Sequence, residues 1–114
     1  MKYITAIIRP EKLDKVQKGL DAINLNRLTV SDVQGYGQQK GHKEIFRGTE
    51  YEVRFVQKIK LELAVDDAYW EKVVDTITKE ARSDEGKVGD GKIFVYELTE
   101  AVRVRTGEKG SSAL

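Results

Sequence analysis

Residues 3–8 read Tyr-Ile-Thr-Ala-Ile-Ile, with apolar side chains at both odd and even positions. Successive side chains of a strand point to opposite faces, so such a strand belongs in the middle of a sheet and needs cover on both sides. That demand limits the chain more than any other stretch does. The rest of the chain must supply a helical layer for one face and something further for the other. Pro10 stops the strand and suits the first turn of a helix. Leu13, Val16, Leu20 and Ile23 recur at helical spacing, with Lys12, Asp14, Lys15 and Lys18 turned outward. Asn24-Leu25-Asn26 ends that helix, and residues 28–36 read as a second strand.

A third strand is expected where Phe55, Ile59, Leu61, Leu63 and Val65 alternate with Lys58, Lys60 and Glu62. Asp66 and Asp67 read as caps for a second helix carrying Trp70, Val73, Val74, Ile77 and Ala81 on one stripe. A glycine-rich turn over 83–92 leads to a fourth strand at 93–98. Val102 and Val104 alternate with Arg103 and Arg105 in a short last strand or extended turn, and residues 107–114 are expected to fray. The order is that of an α+β, ferredoxin-like βαββαβ fold. It implies an antiparallel sheet with two helices on one face and a long loop between strands two and three. At 114 residues the chain makes one domain, 1–114. The face without helices still needs cover, and self-association is the economical source.

Gly35-Tyr36-Gly37-Gln38-Gln39-Lys40-Gly41 and the polar stretch after it show no apolar period of 2 or 3.6. A structureless segment of that length inside a domain is usually functional or disordered, and it reads as a recognition loop over about 37–54. Gly35, Gly37 and Gly41 would allow left-handed backbone and close approach to a ligand. The turn at 83–92 repeats the theme with Gly86, Gly89 and Gly91. Neither run matches the dinucleotide fingerprint or the P-loop, because the spacing differs and no helix comes after. Their shared property is backbone N–H groups beside lysine, which suits anions in general; on spacing alone, ordinary turn glycines among solvated charges are the better reading.

Composition removes whole classes of function. Lys and Arg number 20 against 19 Asp and Glu, so no charge excess points to nucleic acid or to an anionic membrane. The absence of cysteine excludes disulfides, thiol chemistry and the usual structural zinc sites. No apolar run approaches the roughly 20 residues of a membrane span, and Met1-Lys2-Tyr3-Ile4 lacks a signal-peptide pattern. A cytoplasmic home is expected. His42, the single histidine, reads as a solvated loop residue, and no nucleophile stands beside a plausible base, so no enzyme is expected.

Three strings, in the right order, resemble the PII nitrogen-regulatory signal proteins: 35–42 (Gly-Tyr-Gly-Gln-Gln-Lys-Gly-His), 46–51 (Phe-Arg-Gly-Thr-Glu-Tyr) and 89–95 (Gly-Asp-Gly-Lys-Ile-Phe-Val). The likeness runs from Ala6 to Glu108. It implies a homotrimer that senses ATP or ADP, and 2-oxoglutarate through magnesium-bound ATP. It also implies regulation of an ammonium transporter or a nitrogen-metabolism enzyme through the loop at 37–54, the family's T-loop. By matching position, Gly35, Gly37, Gln39, Gly89, Asp90, Gly91 and Lys92 would line the nucleotide cleft, with Thr29, Arg103 and Arg105 from a neighbour. Gln39 would also hold Mg2+, and Gln39, Lys40, Gly41 and Lys58 would receive 2-oxoglutarate. Arg47 and Tyr51 would belong to the partner surface, Tyr51 matching a tyrosine that nucleotidyltransferases modify in some lineages. Turn 83–92 matches the family's B-loop, and 102–114 its C-terminal loop and tail. Contact with a membrane would come only through a transporter.

Two features depart from the family pattern. Asp84-Glu85 lengthens the turn before Gly86 by two residues and adds negative charge, and Gln38 stands where arginine is common. A competing reading uses the same βαββαβ order: a single-stranded RNA binder built like the RNA-recognition motif. Phe94 and Tyr96 would be its stacking aromatics. The string 92–96, Lys-Ile-Phe-Val-Tyr, lacks the Gly-Phe-Gly/Ala-Phe core of that signature.

Overall fold

A computed structural model describes the backbone of residues 1–40 and 51–114 and the side chains of 1–36 and 55–114. Strand β1 spans Lys2–Ile8, helix α1 Leu13–Ala22, β2 Thr29–Lys40, β3 Tyr51–Val65, helix α2 Trp70–Ala81 and β4 Gly91–Glu97. The sheet order is β2-β3-β1-β4, antiparallel throughout, with β1 inside as its two-sided apolar pattern requires. This is the expected βαββαβ arrangement.

Registers explain the layering. Ile4 pairs with Leu63 and Val95, and Ala6 with Leu61 and Ile93, so these residues share one face. Against that face α1 packs Val16 and Leu20, and α2 packs Val73, Ile77 and Ala81. Ile4, Ile8, Val16, Leu20, Leu61, Val73 and Ile77 are fully enclosed. The opposite face carries Tyr3, Thr5 and Ile7 from β1, Lys58, Lys60 and Glu62 from β3, and Lys92, Phe94 and Tyr96 from β4. No described helix covers it. Phe94 and Tyr96 remain 44% and 51% exposed there. Tyr3 donates its hydroxyl to Glu62, and Lys60 Nζ stands 3.4 Å from the same carboxylate. That hydrogen bond pushes the phenol up to about 12 and holds the Glu62 carboxyl below its ordinary value.

Several sequence expectations need correction. Pro10 opens a short 3-10 turn, Pro10–Lys12, and α1 starts behind it. The cap of α2 is Tyr69, not Asp66 or Asp67. Asp66 instead turns the chain: its carbonyl accepts from Tyr69 N at 3.0 Å and its Oδ1 from Asp67 N at 2.7 Å. Asp67 is taken by the Met1 ammonium, 3.0 Å away.

Strand pairing also runs further than periodicity indicates. β2 continues to Lys40 against Tyr51, so the ends of the expected loop at 37–54 form a ladder, with Gly35 and Gly37 inside a strand rather than at a left-handed turn. Backbone pairing requires no apolar face, which is why the polar pattern concealed it. Tyr36 and Phe55 stack across this ladder, ring centroids 5.0 Å apart. Gly41, His42 and Arg47 lie outside the described residues, as do the side chains of Gln38, Gln39, Lys40 and Tyr51.

The last strand reduces to one bridge, Val102 with Lys109, closing a turn in which Gly107 N donates to the Arg103 carbonyl. Beyond it the tail is tied down instead of frayed. A 3-10 turn, Gly110–Ala113, presents carbonyls to Arg103, whose guanidinium also pairs with Glu108 at 3.0 Å.

Candidate functional site

Three elements end at one corner of the sheet. β1 finishes at Ile8, β4 begins opposite it at Gly91, and β3 passes alongside with Ile59 against Ile8. Pairing at Gly91 is possible only without a side chain. Its φ is +119°, and a Cβ there would lie 1.8 Å from the Ile7 carbonyl oxygen. The glycine thus lets the turn over 83–91 descend directly onto the end of β1.

Asp90 organises that turn. Its Oδ2 accepts from Ser83 N at 3.0 Å and Lys87 N at 2.9 Å, while Oδ1 accepts from Arg9 Nε at 3.0 Å. The two backbone donors, seconded by the Arg9 guanidinium, hold its carboxyl well below the usual carboxylate range. Arg9 Nη2 also donates to the Val88 carbonyl at 2.9 Å, and Lys58 Nζ to the Gly89 carbonyl at 2.5 Å. Burial lowers the affinity of the Lys58 amine for its proton, and the nearby Arg9 charge lowers it further.

The Lys58 stem connects the two glycine runs. A Cβ on Gly35 would touch its Cγ at 3.6 Å, and one on Gly89 would sit 3.7 Å from its Nζ. Gly35, Lys58, Gly89, Asp90, Gly91 and Lys92 are therefore gathered at one corner. Gly37 continues the same ladder. Thr29, Arg103 and Arg105 are not gathered with them. Thr29 pairs with Glu62, and the segment carrying the arginines leaves β4 at the Lys2 end of the sheet, where Leu98 N bonds the Met1 carbonyl. Six residue steps of β1 separate the two ends, about 20 Å. Arg103, bonded to the Ser112 and Leu114 carbonyls, sits with the tail at that far end.

Arg9 is the residue that sequence reasoning passed over. Its position between an apolar strand and Pro10 was a usable signal, but its partners lie about eighty positions away. Beside the corner, between α2 and β4, runs a cleft of about 390 Å³ with Ile8, Val74, Ile77 and Ile93 along it and Arg82 at its rim. Among the described residues no group of three acidic or histidine side chains could hold a metal. Asp90, the corner's carboxylate, already accepts three hydrogen bonds. The donor set therefore suits a cation carried in by phosphates better than one held by protein carboxylates.

Comparison with known proteins gives a consistent result. Residues 1–108 match the family model described as nitrogen regulatory protein P-II. The chain is 53% identical to the nitrogen regulatory protein P-II of Rhizobium etli over 114 residues, with both chains fully covered. It is 47% identical to the nitrogen regulatory protein GlnK of Escherichia coli, again over both whole chains. A solved structure of B. subtilis GlnK superposes with a TM-score of 0.81 at 35% identity, covering 99% of this chain and 97% of that one. Nothing in these comparisons supports the RNA-binding alternative.

Proposed function

The chain belongs to the nitrogen regulatory protein P-II family, and from that premise we propose that it senses ATP or ADP together with 2-oxoglutarate and passes the result to nitrogen-metabolism partners. The observation that carries this reading is the corner itself. A glycine turn shaped by Asp90 stands beside Lys58 and Lys92, and the first glycine run packs on the Lys58 stem. Oriented backbone donors and cations are the equipment for phosphate and carboxylate. Relatives are named as regulatory proteins, which favours a signalling role over a catalytic one.

In this reading Gly35, Gly37, Gln39, Gly89, Asp90, Gly91 and Lys92 receive the nucleotide. Asp90 acts by holding the turn's shape, since its own oxygens are occupied. Gln39 would be the protein ligand to a magnesium ion carried by the ATP phosphates, and that ion would supply charge neutralisation for the bound anions. Lys58, with Gln39, Lys40 and Gly41, receives the dicarboxylate.

Thr29, Arg103 and Arg105 act on the corner of another copy in a homotrimer whose helix-free faces meet. Supporting that assembly are the exposed Phe94 and Tyr96 and the separation of the arginines from their own corner. The loop at 37–54, with Arg47 and Tyr51, meets the transporter or enzyme and any nucleotidyltransferase. The proposed setting is the cytosol; no helix among the described residues is long and apolar enough to cross a membrane.

Calorimetric titration with ATP, magnesium and 2-oxoglutarate tests the ligands, and light scattering the assembly. The reading expects 2-oxoglutarate to bind only with magnesium and ATP present, on a trimer. A chain that is monomeric at micromolar concentration and silent toward both nucleotides would overturn it.

A further inference from the structure

Between Ser83 and Lys87 the second glycine turn makes a three-residue excursion: Asp84, Glu85 and Gly86. It is a closed element. Asp90 Oδ2 ties its two ends by accepting from Ser83 N and Lys87 N, and Gly86 N donates to the Ser83 carbonyl at 2.6 Å. Asp84 takes a φ of +42° and Gly86 one of +99°. Left-handed backbone is uncommon for a residue with a side chain, although aspartate tolerates it better than most. Arg82 covers the excursion from one side. Its Nη2 donates to the Glu85 carbonyl at 3.1 Å, and its guanidinium fills the space where a Gly86 Cβ would fall, 3.2 Å from Nε.

The backbone is thus anchored on every side while the two acidic side chains are left at the surface. Asp84 and Glu85 are exposed, and among the described residues neither carboxylate has a hydrogen-bond or ion-pair partner. The cations around the turn are Arg9, Lys58, Arg82, Lys87 and Lys92, and the first three are already directed at carbonyls or at Asp90. With Asp84 and Glu85 present, four carboxylates, Asp90 and the Glu11 near Lys58 among them, face five cations; without the pair only Asp90 and Glu11 would remain. The excursion therefore cuts the local excess of positive charge from three to one in a turn otherwise equipped for anions.

We infer that Asp84 and Glu85 set the charge selectivity of this turn, shifting its preference from a nucleoside triphosphate toward a diphosphate. The inference rests on the nucleotide reading above and assigns a role within that site. Each phosphate carries charge that two fixed carboxylates repel, so the ligand with more charge is penalised more. For groups about 8–10 Å apart, screened over about 8 Å at physiological salt, the discrimination is roughly 1.5- to twofold, rising to about two- to threefold at low salt.

The test uses the whole chain and the double variant Asp84→Asn/Glu85→Gln, which keeps side-chain size while removing charge. ATP and ADP are titrated calorimetrically without magnesium, at about 20 mM and about 0.5 M salt, on either side of the physiological screening range. The ratio of ATP to ADP affinity is expected to rise about two- to threefold in the variant at low salt, and to converge with the parent at high salt. A ratio unchanged at low salt overturns the inference, and so does a change that survives high salt, which would mark shape rather than charge. If the parent binds neither nucleotide, the nucleotide reading falls and takes this inference with it. If both bind and the ratio stays fixed, the inference alone falls. Circular dichroism of the variant guards against a folding artefact; should it be unfolded, Glu85→Gln alone is titrated and must show a smaller rise of the same sign.

Discussion

Replacing Lys58 by alanine separates the two proposed ligands. A charge-assisted hydrogen bond from an ammonium to a carboxylate contributes roughly 1.5–3 kcal/mol. Taken alone, that figure predicts a ten- to hundredfold loss of 2-oxoglutarate affinity. The structure reduces it. Lys58 Nζ already donates to the Gly89 carbonyl at 2.5 Å, a bond that is itself charge-assisted through its donor and contributes about 1.5 kcal/mol or more. If the amine must leave that carbonyl to reach the ligand, the net gain is at most about 1.5 kcal/mol, which corresponds to a loss of up to about tenfold for Lys58→Ala. Gly89 is exposed, so water can take over its carbonyl in the variant, and ATP affinity should change less than twofold. Calorimetry on parent and variant with saturating magnesium-ATP gives the first number, and ATP titration alone gives the second. A pH effect is expected as well. Burial and Arg9 lower the Lys58 pKa, so 2-oxoglutarate binding should weaken with rising pH before an ordinary lysine near 10.4 would lose its proton. Equal losses for both ligands would refute this account, because they would make Lys58 a support of the turn rather than a ligand contact. A variant that binds 2-oxoglutarate as the parent does would refute it equally.

Three other outcomes are expected from the structure. Asp90 has a depressed carboxyl pKa in the fold, so its contribution is complete above the unfolded value near 3.9 and is lost as pH falls through the lower folded value; the Ser83 and Lys87 amide resonances should hold steady through about pH 4 in the parent, and movement there would contradict the assignment. Gly91→Ala should destabilise the chain by at least about 2 kcal/mol in urea, because its Cβ meets the Ile7 carbonyl. Gly107→Ala, also at positive φ but with nothing within 4 Å, should cost only about 1 kcal/mol, and similar losses at both sites would deny the clash. Leu61→Ala, emptying a fully enclosed position between the helices and the sheet, should cost about 2–5 kcal/mol by the same measurement.

Most of the fold was legible in one dimension because burial writes itself into local period. The doubled apolar pattern of residues 3–8 required a central strand, and β1 is central. The stripes through Val16 and Leu20, and through Val73 and Ile77, required helices on one face, and those residues are fully enclosed. The uncommon strings around Gly35, Phe46 and Gly89 identified the family, and with it the residues to watch. Periodicity failed where pairing needs no burial. The ladder from Gly37 to Lys40 is held by backbone groups that every residue carries, so its polar sequence resembled a loop. Asp67 looked like a cap because capping is local, yet its partner is the chain's own amino terminus, 66 positions away. Arg9 stood at a noticeable place before Pro10, but nothing near it names Asp90 or Val88 as its partners. Sequence by itself determined the elements, their burial and the family. Tertiary structure alone decided which charges meet at the corner, and that Lys58 is already engaged there, because such contacts depend on distances between strands that local pattern does not encode.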